Sequence, residues 1–259
     1  MNLYLYLDRD TFVHRLDPRT KILLLLASFA MALLFSHPFY VASVLGLILL
    51  YCALGGSLGN LRKIWFLLLT IGLLSLAGWS LFARGQTPLF WRVTWESFSY
   101  GLATAIKIDT MIVAGVIFLS TTKNEEVTLA LIRLGIPYSA AFAFSMALRL
   151  VPTFAGTAST VVEAQRSRGL DLESGNVLER AKKYIPLLAP VFLNTIRSTD
   201  QLAMALEGKG FGSRRGRTFY LEIGFKKGDF LALAITLALL ALALVMRMAG
   251  FGRIPGLSA

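Results

Sequence analysis

Charged residues are scarce in this chain, and the residues that usually carry out catalysis are scarcer still. Only 16% of the 259 residues are charged, and there are one cysteine and two histidines. A single cysteine excludes a disulfide framework and a thiolate metal site. No cluster of acids, histidines and nucleophiles indicates an enzyme, and no Gly-x-x-x-x-Gly-Lys-Ser/Thr loop is present to bind nucleotide phosphates. We therefore expect no catalytic residues, no cofactor and no metal site.

Apolar residues, in contrast, are abundant. They make up 56% of the chain, which is more than a soluble domain of this size usually hides. Crossing a hydrocarbon core of about 30 Å takes roughly 20 helical residues. The sequence therefore predicts an all-α polytopic membrane protein with about five transmembrane helices, at 22–35, 39–54, 64–82, 108–121 with a start somewhat earlier, and 230–246.

The segment Ser36-His37-Pro38 separates the first two apolar runs. Because proline disfavours helix in the residue before it, these runs are predicted to form one hairpin. The two histidines, His14 and His37, lie on opposite sides of the first span, so a metal-binding pair is not expected. A cleavable signal peptide is not expected either, because no small-residue cleavage pattern ends the first run.

Basic residues predict the orientation of the chain in the membrane. Four precede the first span, two lie between the second and third, and fifteen fall between residues 123 and 227, whereas the third-to-fourth loop and the C-terminus carry two each. The positive-inside rule then places the N-terminus in the cytoplasm and the C-terminal tail outside. The net charge of +11 is explained by the positive-inside topology and by attraction to anionic lipids of the bilayer. Nucleic acid is not an expected partner, because the cations are dispersed among apolar helices.

Residues 123–228 are too many for a loop and too apolar to be free in water. The sequence divides accordingly into an N-terminal membrane domain at 1–122, a cytoplasmic coupling-helix region at 123–228, and a C-terminal helix and tail at 229–259. Residues 136–154 could form a sixth span, but burying Arg149 at the bilayer centre would cost about 2.5 to 3.5 kcal/mol. We favour a helix that lies at the cytoplasmic boundary.

Two similar segments follow within this region. Pro152-Thr153-Phe154 and Pro190-Val191-Phe192 are each predicted to open a helix, because proline suits the first helical turn. The first helix is predicted to end at Ser167-Arg168-Gly169 and the second at Gly208-Lys209-Gly210. Ordinary C-capping explains one such ending, since cations are favoured beside a helix C-terminus. The repetition below a membrane domain favours a functional role.

These endings give the chain a family resemblance. It resembles the transmembrane coupling component, or T component, of energy-coupling factor transporters, including the cobalt-transport type. In that family two Ala-Arg-Gly signatures end the cytoplasmic coupling helices; residues 167–169 match the first and residues 208–210 occupy the place of the second. The resemblance runs from about residue 10 to 248, and its other supporting stretches are His14-Arg15-Leu16-Asp17-Pro18-Arg19-Thr20-Lys21, Leu134-Gly135-Ile136-Pro137 and Leu148-Arg149-Leu150-Val151-Pro152.

The resemblance implies a non-catalytic, multi-pass subunit of a prokaryotic cell-membrane importer for a vitamin or a transition metal such as cobalt or nickel. Its partners would be two ABC-type ATPase subunits and a substrate-binding membrane subunit, the S component. Lysine at 209 replaces the arginine of the family signature. The planar guanidinium of arginine can bind a carboxylate through two hydrogen bonds, whereas the lysine ammonium is a point charge. The residues implied as ATPase contacts are Arg166, Ser167, Arg168, Gly169, Gly208, Lys209 and Gly210.

Lys107 and Asp109 are the ionisable residues of the predicted fourth span. Two residues apart on a helix, they do not face each other. Both would reach the outer interface if the span begins near Lys107, and the alternative is a contact to the substrate-binding subunit. A self-contained secondary transporter or channel is the other function considered. Such a protein would be expected to show inverted repeats, whereas the repeat found here is in the cytoplasmic part.

Overall fold

The computed structural model describes residues 9, 11–82, 87–90, 93–172, 174–213 and 224–252. The chain divides into two compact units, one formed by residues 1–135 with 223–259 and the other by 136–222. The three-part division expected from the sequence stays a prediction. Several of the basic residues used above lie outside the described residues, namely Arg84, Arg92, Arg214, Arg215, Arg217 and Arg253.

Most of the described residues are helical. The first unit contains α1 Pro18–Leu34, α2 Pro38–Leu54, α3 Leu58–Phe82, α4 Trp95–Thr121, α5 Asn124–Arg133 and, after the second unit, α9 Lys227–Met248. Two short antiparallel strands, β1 Pro88–Phe90 and β2 Val93–Thr94, lie between α3 and α4 in the chain. The second unit contains α6 Tyr138–Ser167, α7 Val177–Lys183 and α8 Ile185–Gly208.

Four of these helices, α3, α4, α6 and α9, are long and apolar enough to cross a membrane, and α2 is a shorter apolar helix. The prediction of an all-α polytopic membrane protein is confirmed. By length and composition α6 could also cross, at 30 residues. Its placement along the cytoplasmic boundary therefore stays a prediction.

The hairpin of α1 and α2 forms where the sequence predicts it, because two prolines begin helices there. The Asp17 carboxylate caps α1 by accepting a hydrogen bond from the Arg19 amide at 2.9 Å, and Pro18 is the first helical residue. The His37 ring caps α2 by accepting from the Phe39 amide at 3.3 Å, and Pro38 follows it. A capping side chain and a proline suit the first helical turn.

Helix α4 lies at the centre of the first unit and packs against α1, α2 and α3. Small residues allow this close approach, as they commonly do between membrane helices. At Gly101, an added Cβ would lie 3.1 Å from the Leu76 carbonyl oxygen of α3. Further along α4, Val113 and Ile117 are buried in the core.

A buried carboxylate joins the beginning of α9 to the beginning of α1. Asp229 is fully buried, and its two oxygens accept from the Asp17 amide and the Lys226 amide, each at 2.7 Å. Beside this joint, the Lys21 ammonium donates to the carbonyl oxygens of Thr121 at 2.7 Å and His14 at 3.0 Å. Lys21 thereby ties α1 to the end of α4.

Two sequence-based expectations about helix starts were wrong. Helix α4 begins at Trp95, with Thr94 as its N-cap, and not near Lys107; the charges of Lys107 and Asp109 interrupt the apolar run from which the span was predicted. Pro152 lies inside α6, and Pro190 lies inside α8. Both helices continue through their proline, and tertiary packing between α6 and α8 can offset the lost backbone hydrogen bond.

Candidate functional site

The first cation-glycine ending closes α6 with a specific backbone cap. Arg168 is the C-cap residue. The Gly169 amide donates to the Arg166 carbonyl and the Leu170 amide donates to the Gln165 carbonyl, each at 3.0 Å. Gly169 has a φ of 91°, a left-handed conformation that glycine adopts without a Cβ penalty. This pair of hydrogen bonds is the Schellman motif.

The second ending repeats this geometry at the end of α8. Lys209 is the C-cap residue, and Gly210 has a φ of 78°. The Gly210 amide donates to the Glu207 carbonyl at 2.8 Å and the Phe211 amide to the Leu206 carbonyl at 2.9 Å. The prediction that both helices stop at a cation followed by glycine is confirmed.

The end of α9 shows that this cap does not require a cation. There the C-cap residue is Ala249, and Gly250 has a φ of 88°. The Gly250 amide donates to the Arg247 carbonyl at 3.2 Å and the Phe251 amide to the Met246 carbonyl at 3.0 Å. Since alanine serves equally well, capping alone does not explain Arg168 and Lys209.

Both cations are exposed. Within the part of the chain that the structure describes, neither side chain makes a hydrogen bond or an ion pair. Around Arg168, the Ser167 hydroxyl donates back to the Glu163 carbonyl at 3.0 Å, and Gly208 is the last helical residue before Lys209. The two charges are therefore available to a partner.

Helices α6 and α8 run antiparallel, so the two endings lie at opposite ends of the pair. Phe211, beyond the end of α8, packs on Phe142 near the start of α6 with ring centroids 4.6 Å apart. Farther along, Phe154 of α6 and Leu202 of α8 line the same small pocket. From there, at about 1.5 Å per helical residue, Arg168 and Lys209 lie on the order of 30 Å apart.

The structure places Lys107 and Asp109 well inside α4. Asp109 faces α3, because a Cβ added at Gly72 would lie 3.3 Å from one Asp109 oxygen. The other Asp109 oxygen is buried without a hydrogen-bond partner among the described residues. Lys107 is half-buried. The placement of both residues at the outer interface required the span to begin near Lys107. Helix α4 begins at Trp95, so neither residue lies at its start.

The potential metal-ligating side chains of the described residues are not clustered. Among them, no group of three or more histidine, cysteine, aspartate or glutamate side chains could hold a metal ion. His37 is used as a helix cap, and Cys52 is buried in the core of the first unit. Helix capping and core packing thus account for His37 and Cys52.

Comparison with known proteins gives the family. A family model described as "Cobalt transport protein" matches residues 9–220. The chain is 30% identical over 258 residues to the energy-coupling factor transporter transmembrane protein EcfT of Acidaminococcus fermentans, covering 93% of this chain and 95% of that protein. The chain belongs to the CbiQ/EcfT family.

Other relatives in this family agree. The EcfT proteins of Thermosediminibacter oceani and Lacticaseibacillus paracasei are 31% and 30% identical, over 259 and 263 residues. Each alignment covers 93% of this chain, and 95% and 97% of the respective relative. The CbiQ/EcfT chain is thus a multi-pass membrane component of the energy-coupling transporter type, and the names of these relatives describe transmembrane proteins of transporters.

Two features of this CbiQ/EcfT chain were not predicted from its sequence. One is the aromatic anchor of Phe211 on Phe142, which joins the second ending to α6. The other is the Asp229 joint between α1 and α9. An acid in the first turn of a helix is a usual capping signal and could have indicated Asp229, whereas nothing local predicts the long-range contact of Phe211.

Proposed function

We propose that this chain is the coupling subunit of an energy-coupling factor importer. Two ABC-type ATPase subunits bind at Arg168 and Lys209, and a separate membrane subunit binds the substrate, a vitamin or a transition metal ion. ATP-driven movement of the ATPases passes through α6 and α8 to the membrane spans. The observation that carries the proposal is the identical cap with an exposed, unpaired cation at the end of both helices.

The separation of the two endings supports two partners. A distance on the order of 30 Å is too large for both cations to enter one binding pocket. Two endings of the same backbone geometry suit two partners with similar grooves. Each groove would present acidic side chains or helix carbonyl oxygens to the cation.

The two contacts are unequal. Arginine presents a planar fork that can bind a carboxylate through two hydrogen bonds, and lysine presents one point charge. We therefore expect the loss of Arg168 to weaken assembly more than the loss of Lys209. The anchor of Phe211 on Phe142 holds the lysine ending to α6, so its position depends less on the partner contact.

Charge reversal tests this proposal. Arg168→Glu and Lys209→Glu are made separately and together, and co-purification with the ATPase subunits and substrate uptake are measured. Truncating one member of a buried charge pair typically costs about 2 to 5 kcal/mol, so each reversal is expected to reduce assembly, and the double variant to abolish it. Lys182→Glu, at an exposed position of α7, is the matched control. Unchanged assembly and uptake in the double variant would refute the proposal.

The membrane contact is proposed at Lys107. Since Asp109 faces α3, Lys107 is the member of the pair left to meet the substrate-binding subunit. We expect Lys107→Ala to weaken co-purification with that subunit while the ATPases remain bound. Loss of both partners together would instead indicate a general folding defect.

A further inference from the structure

An apolar groove of about 350 Å³ runs along the first unit. Its walls come from α1, α2, α9 and three residues before α1, Phe12, Val13 and Leu16. Its floor comes from Ala114 and Phe118 of α4. Leu47, Leu50 and Leu231 line it and are themselves exposed, so the groove opens to the surface of the unit. Its volume falls in the range of small-molecule sites, roughly 300 to 1,000 Å³.

The length of the groove matches one leaflet of a bilayer. On α1 its lining runs from Lys21 to Met31, and on α2 from Val44 to Leu54. Ten residues of helix span about 15 Å, which is half of a hydrocarbon core of about 30 Å. A single acyl chain of one leaflet would therefore lie along the whole groove.

Two cations lie at one end of the groove, where α1 and α9 begin and α2 ends. The Arg9 guanidinium donates to the Gly56 carbonyl at 2.9 Å, two residues beyond the lining residue Leu54. On the other wall, Lys227 precedes the lining residue Leu231 by four positions, which places both on one face of α9. Arg9 and Lys227 are exposed. The remaining donors of the Arg9 guanidinium and the Lys227 ammonium suit a phosphate.

Lys21 also lines this end of the groove, but it has a different role. Its ammonium donates to the carbonyl oxygens of His14 and Thr121 and lies 3.7 Å from the Glu126 carboxylate. It is almost fully buried. Lys21 therefore closes this end of the groove from inside the protein. Arg9 and Lys227 remain available to bind a ligand there.

We propose that this groove binds one anionic phospholipid, with an acyl chain against α1, α2 and α9 and the phosphate between Arg9 and Lys227. The match of apolar length to one leaflet, together with two exposed cations at the mouth, favours a lipid over an apolar partner helix. A partner helix would need no phosphate site at the mouth. The groove and both cations belong to the first unit, whereas Arg168 and Lys209 belong to the second.

Retained lipid measures the acyl part of the site. The full-length chain is reconstituted in vesicles of phosphatidylglycerol and phosphatidylcholine in equal parts and extracted, and the phospholipid bound per chain is determined by native mass spectrometry. Ala232→Trp fills the groove from α9 and is expected to reduce bound phospholipid about tenfold, a change equivalent to about 1.4 kcal/mol. Ala234→Trp, at an exposed position of the same helix outside the lining, is expected to retain it. Ala232→Leu gives an intermediate loss and serves if the tryptophan variant does not fold.

Headgroup preference measures the contribution of the two cations to binding an anionic lipid. The chain is expected to retain phosphatidylglycerol over phosphatidylcholine. Arg9→Gln with Lys227→Gln is expected to abolish that preference while an acyl chain remains bound, because the two cations would no longer attract the anionic headgroup. Lys63→Gln, on α3 and outside the lining, leaves the preference unchanged. Equal lipid retention by Ala232→Trp and the unaltered chain, or equal retention of both headgroups by the unaltered chain, would overturn the proposal.

Discussion

At the scale of single residues, Gly169 and Gly210 set where the two coupling helices stop. Both have a positive φ, and a Cβ added at either would meet nothing within 4 Å. Alanine at either position would therefore suffer from backbone conformation alone, at about 1 to 2 kcal/mol. We expect Gly169→Ala to weaken the cap, and the amides of residues 169 and 170 to exchange hydrogen faster.

The control for that substitution is Gly156→Ala. Gly156 lies inside α6, and its added Cβ would also meet nothing within 4 Å. Alanine is favoured over glycine within a helix by about 0.5 to 1 kcal/mol, so this variant should protect α6 slightly better. Equal exchange rates in Gly169→Ala and the unaltered chain would show that the left-handed residue does not stabilise the helix end.

Single residues also explain which predictions succeeded. Glycine after a cation predicts a helix end from local chemistry, and both ends lie where that signal places them. Charge within an apolar run is also a local signal, and here the prediction was wrong. Lys107 and Asp109 interrupt the apolar run of the fourth span, so its start was predicted too late; in the structure it begins at Trp95. Pro152 and Pro190 were wrongly predicted to open helices because proline is a local signal. Whether a helix continues through a proline depends on packing against residues that are distant in the chain.

At the scale of elements, the Asp229 carboxylate holds the beginning of α9 against the beginning of α1. Asp229→Ala would leave the Asp17 and Lys226 amides without their acceptor. A buried donor without an acceptor, here the Asp17 amide, costs about 1 to 3 kcal/mol. We expect a lower midpoint of thermal unfolding in detergent, and a smaller decrease for Asp229→Asn, which keeps one acceptor oxygen. Asp200→Ala, at an exposed site of α8, should leave the midpoint unchanged. A decrease of equal size in Asp200→Ala would contradict a specific joint at Asp229.

The pairing of elements was beyond the sequence. Helix periods and caps predict that α6 and α8 exist, but their antiparallel arrangement depends on contacts such as Phe211 on Phe142, which are far apart in the chain. The Asp229 joint likewise links residues 212 positions apart. Tertiary contacts of this kind leave no local pattern from which they could be predicted.

At the scale of the whole molecule, the orientation in the membrane and the course of α6 are the predictions to test. In a Cys52→Ala background, single cysteines are introduced at Ser139, Ser167 and Thr87, all exposed. We expect Thr87→Cys, in the outer loop of the predicted topology, to react with a membrane-impermeant maleimide in intact cells. Ser139→Cys and Ser167→Cys should both react only after lysis, because α6 is predicted to lie along the cytoplasmic boundary. Opposite reactivity of the two positions would show that α6 crosses the membrane.

The caps at the ends of α6, α8 and α9 also have a practical consequence. The backbone makes every hydrogen bond of these caps, and the structure shows both charged and methyl side chains at the C-cap. Positions 168 and 209 should therefore accept a photoreactive or fluorescent amino acid while the helix end stays intact. A loss of partner binding in such variants would then be due to the missing charge and not to an unfolded helix end.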